Sequence, residues 1–161
     1  FEKTVSRTFQ LKERCDCLLV EGVGGLLAPL TGTKTVASLA SRLGAGLFLV
    51  AHNCIGVINQ VILSIEAAQN RNFEVAAVVL MGRAKPDASA RDNRELLGQF
   101  LGDLAVLELP FLGPEALETR TFFGAEKKIK KQLALASKAA RVRRPCEEGA
   151  EDGWTRDGWD V

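Results

Sequence analysis

The chain has 161 residues, 47% of them hydrophobic and 25% charged, with a formal net charge of +1. That is enough for one globular domain with a real core and short for two. Near-neutral charge gives no general argument for a nucleic-acid partner, and no apolar run approaches the ~18 residues of a membrane span.

FEKTVSRTFQLKERC, at residues 1–15, reads as a helix already in progress, charged and amphipathic rather than a basic-then-apolar leader. A cytoplasmic location is the expectation. CLLV (17–20) is the first of four continuous apolar runs, followed by LFLVA (47–51), VAAVVLM (75–81) and LAVLEL (104–109). Apolar residues that run on without alternating mark strands covered on both faces. Helical patterns lie between these runs. TVASLASRLG (35–44) stops at Gly44. VINQVILSIEAAQNR (57–71) sets Val57, Val61, Ile62 and Ile65 on one stripe. SARDNRELLGQFLG (89–102) opens polar and ends at Gly102. Alternating strands and helices predict an α/β fold: a parallel sheet with helices on both sides.

EKKIKKQLALASKAARVRR (126–144) predicts a last, basic helix whose lysines form a solvated face. After Pro145 the chain turns acidic and Gly-rich and repeats DGW. The expected organisation is a domain over residues 1–138 and a disordered or unrelated tail over 139–161. Cys15, Cys17, Cys54 and Cys146 match no zinc spacing and no C-x-x-C pair, which suits reduced thiols. His52 has no partner constellation for a triad or a metal site.

Three stretches carry candidate chemistry. In CLLVEGVGG a strand runs straight into Glu21 and a glycine turn, and open parallel sheets bind ligands outside the carboxyl ends of their strands. Gly22, Gly24 and Gly25 let backbone N–H groups approach an anion. A carboxylate beside phosphates needs a cation between them, and Mg²⁺ uses one or two carboxylates plus phosphate oxygens. The alternative is a tight strand exit with Glu21 solvated. In HNCIGVINQ, Gly56 permits a close turn into a helix whose first N–H groups favour a carboxylate or phosphate, or Asn59 simply packs near that turn. In LELPFLGPE, Pro110 and Pro114 stiffen a loop and Phe111 offers a flat apolar surface, for an adenine slot or a rigid connection.

Taken in order, these stretches resemble dethiobiotin synthetase. The family's V-E-G-A-G-G reads here Val20-Glu21-Gly22-Val23-Gly24-Gly25, its G-x-I-N helix start reads Gly56-Val57-Ile58-Asn59, and its Pro-aromatic-Leu segment reads Pro110-Phe111-Leu112. The similarity covers roughly residues 5 to 135. It implies a P-loop NTPase-like three-layer fold and a homodimer. The implied activity is carboxylation and ring closure of 7,8-diaminononanoate with CO₂, ATP and Mg²⁺, giving dethiobiotin in biotin biosynthesis. By motif, Glu21 would be a Mg²⁺ ligand, with Gly22, Val23 and Gly24 along the nucleotide phosphates. Pro110, Phe111, Leu112 and Glu115 would border the nucleotide's adenine. Gly25 and the turn from Gly56 through Val57 and Ile58 to Asn59 would hold the substrate, the turn taking its carboxylate.

The sequence also departs from the family. It contains no G-x-x-x-x-G-K-[ST] phosphate loop, so it looks like the C-terminal portion of such an enzyme, holding only part of the site. Where the family commonly has an asparagine that reads the adenine edge, this chain has Met81, which lacks the amide's donor and acceptor. Two other readings stay open: a non-catalytic module that keeps the dimer face, or another ATP-using synthetase of the same fold. An amidating synthetase would need a glutaminase domain, for which residues beyond 135 leave no room. A partitioning-type ATPase would need a DNA- or membrane-directed surface beyond a few solvated lysines.

Overall fold

A computed structural model of the chain, which describes residues 1–113 and Ala134, turns three of the four apolar runs into one parallel sheet. The strands are β1 (Leu47–His52), β2 (Val75–Met81) and β3 (Ala105–Leu109), in spatial order β1-β2-β3. β2 is central. Phe48 to His52 pair with Ala77 to Met81, after a register shift between Leu47 and Phe48. Ala77 to Met81 pair in turn with Ala105 to Leu109.

Four helices are described: α1 (Glu2–Lys12), α2 (Val36–Leu43), α3 (Val57–Gln69) and α4 (Asn93–Leu101). Among the described residues, Phe1–Ala45 belong to one unit and those from Gly46 onward to another. The expected boundary at residue 138, the basic helix over 126–144, the tail, Pro114 and Glu115 all lie outside the described residues.

In the second unit, α3 links β1 to β2 and α4 lies between β2 and β3. Both links step the same way along the sheet, so the right-handed crossover rule puts both helices on one face. The core agrees. Val57, Val61 and Ile65 of α3 and Leu97 of α4 bury themselves against Val78 and Leu80, alternate residues of β2. The opposite face of β2 offers Ala77 and Val79, which cluster with Leu107. β2 is buried on both faces, as its unbroken apolar run predicts. Burying a leucine as fully as Leu80 or Leu97 stabilises the fold by about 1.5–3 kcal/mol.

Two helix boundaries differ from expectation. α3 ends at Gln69, and the chain turns back through Asn72 in a left-handed conformation, φ 57°. The helix expected over 89–102 is split: a short 3₁₀ turn (Ala88–Arg91) precedes α4, with a break at Asp92. The break has a local cause. Asp87 caps the 3₁₀ turn through Ser89, while Asn93 is drawn inward to a partner on another loop.

In the first unit, α1 packs on α2 and buries Val5. Thr35 and Ser38 form a reciprocal capping box at the start of α2, and Gly44 closes it in a left-handed conformation. The ion pair between Arg42 and Glu2, at 3.3 Å, is solvent-exposed and contributes little.

CLLV, the remaining apolar run, forms no strand. Residues 17–20 pair with no neighbour among the described residues, and Leu19 is 84% exposed. A strand exists by hydrogen bonding to an adjacent chain, and an apolar run supplies only the side chains that would cover it. Without a ladder partner the segment remains coil. No described helix is long and apolar enough to cross a membrane.

Candidate functional site

Since residues 17–20 are coil, Glu21 does not stand at the carboxyl tip of a strand, contrary to the sequence expectation. Its carboxylate is exposed, and nothing among the described residues pairs with it. The glycines after it have separable roles. A Cβ on Gly22 would sit 2.6 Å from Val36 Cγ1, so this glycine lets the loop approach α2. Gly24 and Gly25 have φ of 88° and 97°, a region costly for other residues. The loop is then tied down: Leu26 and Ala28 carbonyls accept from the first N–H groups of α2, on Ala37 and Val36. Val23 stands 81% exposed at its crest. The result is an anchored turn presenting one free carboxylate. As a cation site this donor set fits only an ion shared with other oxygens, since no cluster of three potential metal ligands occurs among the described residues.

The second unit gathers the other two stretches at the carboxyl ends of its strands, where parallel sheets hold ligands. Gly56 has φ 87° at the start of α3, with nothing within 4 Å of a notional Cβ. No side chain caps this helix. Val57 is a core residue, fully buried, and its N–H already donates to the Cys54 carbonyl at 3.1 Å. Ile58 and Asn59 differ: among the described residues, no acceptor faces their N–H groups. The Asn59 side chain is exposed and forms no cap. What remains is an open, electropositive helix start.

Pro110 to Leu112 lie beside the end of β2. Gly82 N–H donates to the Leu109 carbonyl at 2.7 Å, and a Cβ on Gly82 would come within 2.8 Å of the Phe111 nitrogen. Gly82 therefore permits the contact that brings Met81 and Phe111 to one corner. Phe111 is half exposed and Pro110 is exposed.

A polar network missed in the sequence reading joins these loops. Asn53 and Asn93 are 2% and 3% exposed. Asn53 Nδ2 donates to the Ala90 carbonyl at 2.9 Å and to Glu108 Oε1 at 3.0 Å, while its Oδ1 accepts from Asn93 Nδ2 at 2.8 Å. Asn53 N–H donates to the Met81 carbonyl. Asp87 accepts from Ile55 N–H at 3.0 Å and from the Ser89 hydroxyl at 2.6 Å. The Ser89 hydroxyl, and then the Ile55 N–H, hold the Asp87 carboxyl below its ordinary range. One signal was available: Glu108 is the lone charge in the apolar run LAVLEL.

The sequence matches a family model described as an AAA domain over residues 2–115. It is also similar to ATP-dependent dethiobiotin synthetases. That of Chlorobaculum tepidum is 36% identical over 115 residues, covering 68% of this chain and 48% of the relative. The Leptospira interrogans protein is 34% identical over 93 residues (58% and 41%), and that of Bacillus subtilis 26% over 113 (70% and 46%). The chain thus spans about half the length of these curated relatives. The parallel, helix-flanked sheet is that of a P-loop NTPase-like α/β fold, as the family match requires.

Proposed function

The chain belongs to the AAA domain family, and from that premise we propose that it forms part of an ATP-dependent ligase that carboxylates 7,8-diaminononanoate with CO₂ and closes the ring to dethiobiotin. The observation that carries this reading is at the sheet's carboxyl end, where an uncapped helix start and the Met81–Phe111 corner belong to one bonded framework. An acid with a terminal carboxylate suits the first, and a nucleotide base suits the second.

In this reading Gly56, Ile58 and Asn59 receive the carboxylate of the substrate, with Val57 anchoring the turn from the core; Gly25, in the other unit, is assigned to the substrate by motif alone. Pro110, Phe111 and Leu112 border adenine, together with Glu115. Gly22, Val23 and Gly24 line the phosphates. Glu21 would hold Mg²⁺, which would supply neutralising charge for the phosphates. The acid's carboxylate anchors one end of the diamine so that its amines face CO₂ and the terminal phosphate. These 161 residues contain no G-x-x-x-x-G-K-[ST] loop, so they furnish part of a site, in a homodimer. The similarity to the dethiobiotin synthetases supports the reading.

Calorimetric titration tests it. The chain is expected to bind 7,8-diaminononanoate, and to bind ATP more tightly with Mg²⁺ than without. Glu21→Gln should abolish the Mg²⁺ dependence and leave binding of the acid unchanged. Equal ATP affinity with and without Mg²⁺ in the parent chain would contradict the role of Glu21. Met81 favours a second reading, a non-catalytic module, because a thioether cannot reproduce an amide's pairing with adenine. That reading predicts no nucleotide binding at all.

A further inference from the structure

The buried amide pair Asn53–Asn93 does not fill any role assigned above, yet it ties the turn after β1 to the ends of β2 and β3 and to the 3₁₀ turn. Through Asn53 the turn into α3 is bonded to the end of β2 (Met81), to the 3₁₀ turn (Ala90) and to the end of β3 (Glu108). Asn93 adds α4, reaching Asn53 Oδ1 at 2.8 Å and lying 3.4 Å from the Cys54 carbonyl and 3.3 Å from Ser89 Oγ.

Chemistry fixes the orientation of these amides. The Ala90 carbonyl and the Glu108 carboxylate can only accept, so Asn53 must turn its NH₂ toward both. Its Oδ1 then faces Asn93, which must donate. Each amide has one workable arrangement, and neither can flip without leaving a buried polar atom unpaired. Such a pair serves as a rigid strut. Gly56 lies three residues beyond Asn53, and Pro110 lies two beyond Glu108.

We infer that Asn53 and Asn93 are positioning residues that fix the uncapped start of α3 relative to the segment Pro110–Leu112, through the Asn53–Glu108 hydrogen bond. The inference rests on the functional reading above and gives it a geometric requirement. Acid and nucleotide must be held at one separation, because reacting groups need near-contact distances and small misplacements are costly. Asn53 touches neither ligand; it acts through the loops it joins.

The test removes the acceptor of that one bond. Asn53 Nδ2 also serves the Ala90 carbonyl, so the substitution is made at Glu108, which leaves that second bond in place. Glu108→Ala deletes the acceptor, and Glu108→Gln keeps an acceptor oxygen on a side chain of the same length. Affinity for 7,8-diaminononanoate, by calorimetry, and the amide resonances of Ile58, Asn59 and Leu112 are read in each. Glu108→Ala should bind the acid about tenfold more weakly and shift all three resonances, and Glu108→Gln should stay within about threefold of the parent. Ile65→Val, a core variant remote from the bond, should lower stability without altering affinity. If Glu108→Ala fails to fold, Asn93→Ser serves instead, with about fivefold weaker binding expected. Parent-like affinity in Glu108→Ala, or in Asn93→Ser where that variant replaces it, overturns the strut while leaving the functional reading intact. A loss in Glu108→Gln as large as in Glu108→Ala also overturns it. A parent chain that does not bind the acid overturns both.

Discussion

Residues 75–81 and residues 17–20 read alike as sequence: short, continuous, apolar and followed at once by glycine or a charged group. In the structure they have opposite fates. VAAVVLM becomes β2, paired on both edges and buried on both faces. CLLV remains an exposed coil. Apolar composition states a need for cover, and a strand forms only where a backbone partner is also present alongside. The same contrast divides the candidate chemistry. Near β2 the polar groups are locked in a bonded framework, whereas Glu21 stands free on a turn anchored only through its glycines and α2.

The largest effect should come from removing cover where it exists. Leu80→Ala deletes a fully buried side chain and should cost about 2–5 kcal/mol in urea unfolding. Leu19→Ala, in the exposed run, should stay within about 0.5 kcal/mol. Comparable losses at both positions would mean that residues 17–20 are covered in solution, and the contrast would collapse.

Glycine contacts sharpen it. Gly82→Ala drives a methyl into the backbone of Leu109 to Phe111 and should destabilise by about 1–3 kcal/mol. It should also displace the Phe111 and Leu112 resonances. Gly22→Ala meets a side chain, Val36, that can shift more readily than backbone, so its cost should be smaller. Glu21→Gln is smaller again, within about 0.5 kcal/mol, since the carboxylate has no partner among the described residues. An effect on ligand binding with unchanged stability is the signature expected there.

Asp87 should give the smallest and most conditional effect. Its folded pKa lies below the unfolded value of about 3.9, so its contribution is complete above that value. It is lost as pH falls through the lower folded pKa. Urea midpoints of Asp87→Asn and the parent should therefore differ near neutrality and converge in acid. Divergence on acidification would reverse the sign and remove the proposed cause.

Much of the fold was legible because long-range packing left periodic marks. The stripe on α3, the stop at Gly44 and the unbroken run of β2 each report a local requirement of the final structure. The candidate site was legible where backbone conformation demands glycine, as at Gly56, or where a motif fixes the order of residues. Asn53, Asn93 and Asp87 were not, because their meaning lies in partners 32 to 55 residues away in sequence. An isolated asparagine after a strand looks like any turn residue. Likewise, the missing ladder beside residues 17–20 is a property of neighbours, not of CLLV itself.

The central claim is that the start of α3 and the Met81–Phe111 corner are two ligand seats at one end of the sheet. Amide chemical-shift mapping of the chain tests it most directly, adding 7,8-diaminononanoate first and Mg·ATP second. The acid should move Ile58 and Asn59, and the nucleotide should move Gly82, Phe111 and Leu112. Saturable binding that leaves these five amides unmoved would contradict the account.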